Sequence, residues 1–253
     1  MTDARKVAPE EPGEAGRGDL EWEWLADGVG RWRLPVWDCT AGLVVGADGA
    51  LMVDAGSSRA EGALLRARAR ELSGRGVTLL ALTHPHFDHV FGAAEFTGAE
   101  VFAAAGAAAV FAGGREELRE DGVRHGLDGR AAREAADALV RPGREVDDRL
   151  ALPLGGGREA LLVNVGPGHT AHDLAVVVPG EPAVVFCGDL VEESGEPQAG
   201  PDAVPSRWPD ALDRLLALGG EDALYVPGHG AVVDAAFVRA QRDALAARFG
   251  VSR

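Results

Sequence analysis

The chain is poor in the residues that mark several large classes of protein. Only two of its 253 residues are cysteines, Cys39 and Cys187, and no Cys-x-x-Cys pair occurs. A disulfide framework is therefore not expected, and a reducing, cytoplasmic location fits this composition. No run approaches the ~20 apolar residues that a membrane-spanning helix needs, so we expect no membrane partner.

Basic side chains are scarce relative to acidic ones. The chain has 25 basic residues, of which Lys6 is the single lysine, against 40 acidic residues, and the net charge is −15. Such a chain repels phosphate backbones and anionic lipid, and no basic stripe stands out. We therefore predict a small-molecule substrate rather than a nucleic-acid partner.

The domain organisation follows from length and local composition. Residues 1–19 are rich in Glu, Gly, Pro and Arg and contain no apolar signal-peptide region, so a disordered tail is predicted there. Residues 20–253 are predicted to form one domain, because α/β and all-β domains of this length commonly fold as a single unit.

Hydrophobic spacing predicts strands and helices in alternating blocks. Strands are predicted at 21–25, 30–34, 41–45, 50–53, 77–82, 149–153, 159–165, 173–178, 183–187 and 223–226. Helices are predicted at 59–72, capped by Ser57 or Ser58, and at 130–140, 207–218 and 234–249. A short strand and an Ala-rich helix fit 98–112. The charged segment 113–141 is predicted to be a solvated helical excursion, with a surface insertion that acts as a lid as the alternative. The predicted class is α+β, with two sheets face to face and helices outside.

The most informative segment is Thr83-His84-Pro85-His86-Phe87-Asp88-His89, which directly follows the apolar run 78–82. An extended segment points residues i and i+2 the same way, and Pro85 biases His84 toward extended geometry. His84 and His86 can therefore coordinate the same metal ion. Asp88 and His89 lie further round the turn and are better placed to hold a second ion.

Three later loops each follow a predicted strand and carry one more candidate ligand. His169 lies in Gly168-His169-Thr170, Asp189 in Gly188-Asp189-Leu190, and His229 in Pro227-Gly228-His229-Gly230. Neighbouring glycines allow the sharp turns and close backbone approach that convergence on one cavity requires. These loops are therefore predicted to meet the first histidine cluster at one site.

The ligand chemistry divides these residues between two ions. We assign His84, His86 and His169 to one ion and Asp88, His89 and His229 to the other, with Asp189 bridging both. Imidazoles and carboxylates without a thiolate suit Zn²⁺, although Fe or Mn is also possible. Paired ions ~3.5–4 Å apart activate water near neutral pH, which favours hydrolysis.

These motifs, in this order, resemble the metallo-β-lactamase fold superfamily of metallohydrolases from Leu20 to the C-terminus. The resemblance implies an αββα sandwich with the site at one edge, two divalent metals, usually zinc, and a bridging water or hydroxide as nucleophile. It also implies that Asp88 is both ligand and catalytic orienter of the nucleophile. Asp54, in Val53-Asp54-Ala55-Gly56, is then expected to hold the ligand loop without touching metal.

The resemblance leaves more than one reaction open. The leading hypothesis is a dinuclear zinc hydrolase of a small ester, thioester or lactone. β-Lactamase-type amide hydrolysis is less favoured, because true β-lactamases of this fold generally lack a bridging aspartate at the position of Asp189. A mononuclear iron oxygenase of the persulfide dioxygenase type, with His84, His169 and Asp189 as ligands, is a second alternative, and a non-catalytic metal-binding module is a third.

Two further residues stand close to the predicted ligands. His172 follows His169 at i+3. Its position fits a residue that supports the ligands or faces the substrate, and it also fits a plain hydrogen-bonded loop residue. Trp208 follows the loop after Asp189, where it fits either a pocket wall or the core.

Overall fold

The computed structural model describes residues 22–252. The tail predicted for residues 1–19 lies outside this range, and the single-domain assignment of 20–253 likewise stays a prediction. None of the helices within the described range is long and apolar enough to cross a membrane.

The first sheet has seven strands in chain order, from β1 to β7. Strands β1 to β4 form an antiparallel meander, whereas β4 to β7 run parallel to one another. Their bounds are β1 Glu23–Ala26, β2 Val29–Arg33, β3 Thr40–Val45, β4 Ala50–Val53, β5 Leu79–Ala81, β6 Glu100–Ala104 and β7 Arg144–Val146.

The second sheet has five strands in the order β12-β11-β10-β9-β8. Strands β8 to β11 are antiparallel neighbours, and β12 joins parallel to β11. Their bounds are β8 Arg149–Gly155, β9 Arg158–Asn164, β10 Leu174–Val178, β11 Val184–Glu192 and β12 Leu224–His229.

Helices cover the outer face of each sheet. Among residues 22–252, five helices lie on the first sheet and two on the second, as their shared apolar clusters show. Their bounds are α1 Arg59–Ser73, α2 Phe87–Val90, α3 Ala107–Gly113, α4 Arg115–Arg124, α5 Gly129–Asp137, α6 Trp208–Gly219 and α7 Ala235–Phe249, with a 3-10 turn at Ala93–Glu95. This αββα arrangement confirms the predicted fold class.

Three apolar layers follow from the two-residue period of the strands. Met52 on β4 packs under the outer helices, while its neighbours Leu51 and Val53 face the space between the sheets. On β10, Val176 likewise faces the space between the sheets and Val177 packs under α6 and α7. Alternating side chains thus bury both faces of each sheet, which explains the nearly continuous apolar runs.

The long elements match the predicted ones closely. Helix α1 begins at the predicted residue, and Ser58 caps it by accepting a hydrogen bond from the Glu61 N–H at 3.2 Å. The short helix α2 and strand β7 were not predicted, and helix α4 lies within the predicted helical excursion at 113–141, where no separate helix was placed before residue 130. Strand β11 also continues to Glu192 through two register breaks, so Asp189 lies inside an irregular strand rather than in a loop after it.

The sheet topology brings the predicted site residues to one edge. Strands β4 and β5 are parallel, so Asp54 after β4 and Thr83 after β5 emerge side by side. Strands β11 and β12 are also parallel, which places Asp189 close to His229 at the end of β12. Parallel neighbours end at the same edge of a sheet, where binding sites commonly lie.

A close backbone contact fixes α1 against the segment that follows α2. A methyl group on Gly92 would lie 1.9 Å from the Ala55 carbonyl oxygen, and one on Gly62 would lie 2.3 Å from the Gly92 carbonyl oxygen. The Ala55 N–H also donates to the His89 carbonyl at 2.8 Å. The position of the His89 backbone therefore depends on glycine at both contacts.

We expect Gly92→Ala to lower the free energy of unfolding by about 1–3 kcal/mol or more, since the added methyl overpacks a rigid backbone contact. Gly76→Ala is the matched control, because a methyl there meets no atom within 4 Å. Urea denaturation of both variants measures the difference, and equal stability would contradict the contact.

Candidate metal centre

The seven predicted ligands lie together at one edge of the sandwich, in two groups that share the predicted division. Within each group the candidate ligand atoms all lie within 4.8 Å of one another. One group contains His84, His86, His169 and Asp189; the other contains Asp88, His89 and His229 with Cys39 added. The assignment of these residues as metal ligands stays a prediction, but their convergence is a property of the fold.

Asp189 stands between the two groups. Its Oδ2 lies 3.5 Å from His169 Nε2 and 3.3 Å from His229 Nε2, while its Oδ1 lies 3.1 Å from His89 Nε2. Asp189 is thus the carboxylate within reach of nitrogens from both groups, as a bridging ligand must be.

Each of the five histidines has its outer ring nitrogen engaged by the protein. An acceptor lies 2.7–3.1 Å from this nitrogen in every case. The pairs are His84 Nδ1 with Thr83 Oγ1, His86 Nε2 with Asp202 Oδ2, His89 Nδ1 with Asp54 Oδ2, His169 Nδ1 with the Gln198 carbonyl, and His229 Nδ1 with the Trp37 carbonyl.

These outer contacts assign the ring protons. Carbonyl and carboxylate oxygens only accept, so the outer nitrogens of their histidines donate. Thr83 Oγ1 gives its own proton to Asp54 Oδ2 at 2.8 Å and therefore accepts from His84. In the neutral rings, every inner nitrogen then presents a lone pair to the centre, as metal-binding histidines do.

The inner nitrogens lack partners that would satisfy such lone pairs. His86 Nδ1 and His169 Nε2 lie 3.0 Å apart, and with both outer nitrogens protonated neither can donate to the other. Among the described residues, His84 Nε2 and Asp189 Oδ1 are buried and accept no hydrogen bond. A divalent cation shared by the three nitrogens would satisfy them, with Asp189 Oδ2 as the nearby carboxylate oxygen, while Asp189 Oδ1 faces His89 Nε2 of the other group at 3.1 Å. The residues therefore fit a metal centre.

Asp54 ties the first histidine cluster to the sheet. Its carboxylate accepts hydrogen bonds from the Thr83 N–H and hydroxyl at 2.8 Å and from His89 Nδ1 at 2.9 Å. Its φ of 61° lies in the left-handed region, which aspartate tolerates better than most residues. This is the supporting position expected for Asp54.

Burial and neighbouring charges shift the pKa values of His84 and His169 in one direction and that of His89 in the other. Burial lowers the pKa of His84 and lowers that of His169 to about 4, so both imidazoles stay neutral. Burial opposes ionisation of Asp189, but the surrounding histidines outweigh it and hold its pKa well below the ordinary value. Burial also opposes charging of His89, yet Cys39 and the aspartates raise its pKa. Cation binding at His89 must therefore displace a proton.

The loop that carries His169 is held in place by contacts with Asp173 and Trp208. Asp173 accepts hydrogen bonds from the Thr170 N–H at 3.0 Å and from the Thr170 hydroxyl at 2.7 Å. Trp208 is fully buried, packs its ring edge-on against His169 at 5.4 Å, and donates to the Leu190 carbonyl. Trp208 thus belongs to the core behind the ligand rather than to a pocket wall.

His172 faces a cavity beside the predicted ligands. Its Nδ1 donates to the Ala105 carbonyl at 2.8 Å, and a methyl on Gly106 would lie 2.3 Å from the ring. The ring is therefore held at the end of β6, and its hydrogen bond goes to the backbone instead of to a predicted ligand. The substrate-facing alternative fits this position.

The sequence reasoning missed several neighbours of the ligands. Cys39 Sγ lies 3.6 Å from His89 Nε2 and donates to the Asp88 carbonyl, and burial raises its pKa to about 11. Glu192 joins Asp189 and His229 in a third group of candidate ligand atoms, and Asp202 bonds His86. None lies in a recognisable motif. The Trp37 and Gln198 carbonyls have no sequence signal at all, because every residue carries a carbonyl.

Known proteins share this fold. A family model described as the metallo-beta-lactamase superfamily matches residues 34–229. A metallo-beta-lactamase from Pontibacter korlensis is 20% identical, with a TM-score of 0.69 over 88% of this chain and 99% of that one. One from Pseudomonas aeruginosa, in a mono-zinc form, is 18% identical with a TM-score of 0.68 over 92% and 96%. No curated protein sequence matches the chain.

Replacing Asp54 tests its supporting role. Asp54→Ala leaves the Thr83 N–H and His89 Nδ1 without acceptors, so we expect a loss of about 1–3 kcal/mol of unfolding free energy for each orphaned buried donor. Asp54→Asn keeps one acceptor oxygen and tolerates the left-handed backbone, so its loss should be smaller. Chemical denaturation compares the two, and equal losses would contradict the role.

Replacing Asp202 tests its hold on His86. Asp202→Ala frees the outer nitrogen of His86, and we expect metal affinity at the His84–His86–His169 group to fall about tenfold or more. Competition with a chromophoric chelator measures the affinity. Asp210→Ala, which removes an exposed carboxylate outside the site, is the control; an equal change in both variants would refute the role of Asp202.

Proposed function

The chain belongs to the metallo-β-lactamase superfamily, and from this premise we propose that it is a dinuclear zinc hydrolase of a small ester, thioester or lactone. Members of the superfamily are mostly metal-dependent hydrolases, which supports the reaction class. The proposal goes further in naming two zinc ions and an acyl substrate.

One observation carries the proposal. Two groups of candidate ligand atoms lie side by side, and Asp189 is within 3.7 Å of nitrogens in both. His84, His86 and His169 would hold one ion, and Asp88, His89 and His229 the other. A set of five imidazoles and two carboxylates suits Zn²⁺, and Asp189 would offer carboxylate oxygens to both groups.

The chemistry divides between the ions and the chain. Two bound divalent ions would lower the pKa of a water molecule to about 7 and polarise the carbonyl under attack. Asp88 borders the cavity, and although burial opposes its ionisation, the neighbouring histidines lower its pKa. An ionised Asp88 can accept a hydrogen bond from the attacking water and orient it.

The cavity next to the ligands supports a small-molecule substrate. Its volume is about 750 Å³, and His86, Asp88, His169, Asp189 and His229 form one side of it. This volume suits a ligand of modest size. The net charge of −15 argues against nucleic acid, and two free, buried cysteines agree with the cytoplasmic compartment that we propose.

A mononuclear iron oxygenase is the second candidate, and one observation favours it. His84 Nε2 and His169 Nε2 lie 3.7 Å and 3.5 Å from Asp189 Oδ2. Two histidines and one carboxylate are the ligand set of many non-haem iron oxygenases. One iron per chain and thiol-dependent oxygen uptake would support this candidate and remove the hydrolase.

We expect His86→Ala and Asp189→Ala each to lower the zinc content below two ions per chain and to reduce ester hydrolysis by about a hundredfold or more. Mass spectrometry of the native protein gives the metal content, and circular dichroism checks the fold. His125→Ala removes an exposed imidazole that belongs to neither ligand group and should keep its metal. Normal zinc content in both ligand variants would overturn the assignment.

A further inference from the structure

The cavity next to the predicted ligands has walls that differ sharply in chemistry. Besides the loops that carry the predicted ligands, three segments line it: the turn between β2 and β3, helices α3 and α4, and the segment after β11. The metal-facing side carries the predicted ligands, one wall is largely apolar, and the rim is acidic. These differences bear on which substrates the cavity can accept.

The apolar wall is built around Trp37 and Phe87. Their rings meet edge to face at 5.4 Å, and Val110 and Leu118 extend the wall along α3 and α4. His125 fixes both rings: it stacks on Phe87 at 5.8 Å, and its carbonyl accepts a hydrogen bond from Trp37 Nε1 at 3.3 Å. A rigid aromatic and aliphatic surface of this kind favours an apolar group.

The Asp, Glu and Arg side chains that line the cavity are mostly carboxylates. Besides the predicted ligands, five carboxylates line it: Glu117, Asp121, Glu192, Glu196 and Asp202. Among the described residues that line the cavity, Arg124 is the one guanidinium, and it donates to Asp121 Oδ1 at 2.7 Å. Within residues 22–252 the rim therefore offers an anion no uncommitted guanidinium, and its carboxylates repel negative charge.

From this arrangement we infer that the site accepts acyl groups that are apolar and uncharged and rejects acyl groups that end in an anion. The inference rests on the proposed hydrolase function and names its substrate class. The acyl chain lies along Trp37, Phe87 and Leu118, with its carbonyl at the predicted ligands. A terminal carboxylate on that chain would meet the acidic rim, where the described residues offer no unpaired guanidinium to bind it.

A matched pair of esters tests the inference on the zinc-loaded, full-length protein. One is p-nitrophenyl hexanoate, and the other is mono-p-nitrophenyl adipate, which has the same chain length and a terminal carboxylate. We expect kcat/KM to favour the hexanoate by about tenfold or more at low salt, and added salt to narrow the gap because it screens the rim. Equal values, or a preference for the adipate, would overturn the inference.

Two variants on α4 locate the origin of the discrimination. Asp121→Asn removes one rim charge and frees Arg124, so the adipate-to-hexanoate ratio of kcat/KM should rise about threefold or more. Glu116→Gln makes the same charge change on the same helix, at a residue that pairs with Arg119 and does not line the cavity. It should leave the ratio unchanged, and an equal effect in both variants would count against the rim.

A binding measurement separates this inference from the proposed function. Hexanophenone and its counterpart with a terminal carboxylate are ketones that cannot be hydrolysed, and calorimetry gives their affinities without turnover. Tighter binding of hexanophenone supports the inference even if no ester is cleaved, in which case the proposed function alone fails. Ester cleavage together with tighter binding of the carboxylated ketone would refute the inference and retain the hydrolase.

Discussion

The need to satisfy buried polar groups governs the structure around the predicted metal centre. Five imidazoles and two carboxylates crowd one edge of the sandwich, where most are shielded from water. Each histidine must have its outer nitrogen bonded, or the desolvated ring would be costly to bury. The acceptors come from the turn before β3, the ends of β4 and β5, and the segment after β11. The hydrogen bonds to the outer ring nitrogens thus fix the relative positions of several segments that are distant in sequence.

The convergence of the predicted ligands could be read from the sequence because histidine is scarce, with seven in the chain, and five of the seven are predicted ligands in segments that follow apolar strands. The αββα order was also readable, since long strands and helices carry strong periodic signals. Short elements such as α2 and β7 have too few residues to show a period. The position of Asp189 within β11 was missed, because register breaks depend on pairing with β12 rather than on local sequence.

The supporting contacts were less predictable than the ligands themselves. Asp54 was identified through a motif, but Asp202 lies in a Pro- and Gly-rich segment with no pattern of its own. Backbone carbonyls at Trp37 and Gln198 were beyond any sequence argument. The cavity wall was equally hidden, because the charged segment 113–141 reads as a solvated surface. One face of α4 in fact borders the cavity, and Leu118 on that face is buried. The fold likeness to β-lactamases says nothing about this wall, since substrate preference resides in such local surfaces.

His86 is the most exposed of the five predicted ligand histidines, and its ring donates to a side chain on the segment after β11. That segment supplies Asp202 to His86 and, through the Gln198 carbonyl, holds His169 as well. Two imidazoles of one ligand group therefore share a single stretch of chain that also borders the substrate cavity. Thermodynamic linkage is reciprocal. If a bound ion stabilises the ordered form of this stretch, then ordering the stretch raises the affinity for the ion by the same free energy. A substrate that contacts this stretch would therefore change the affinity of the site for the ion, because two hydrogen bonds connect the stretch to His86 and His169.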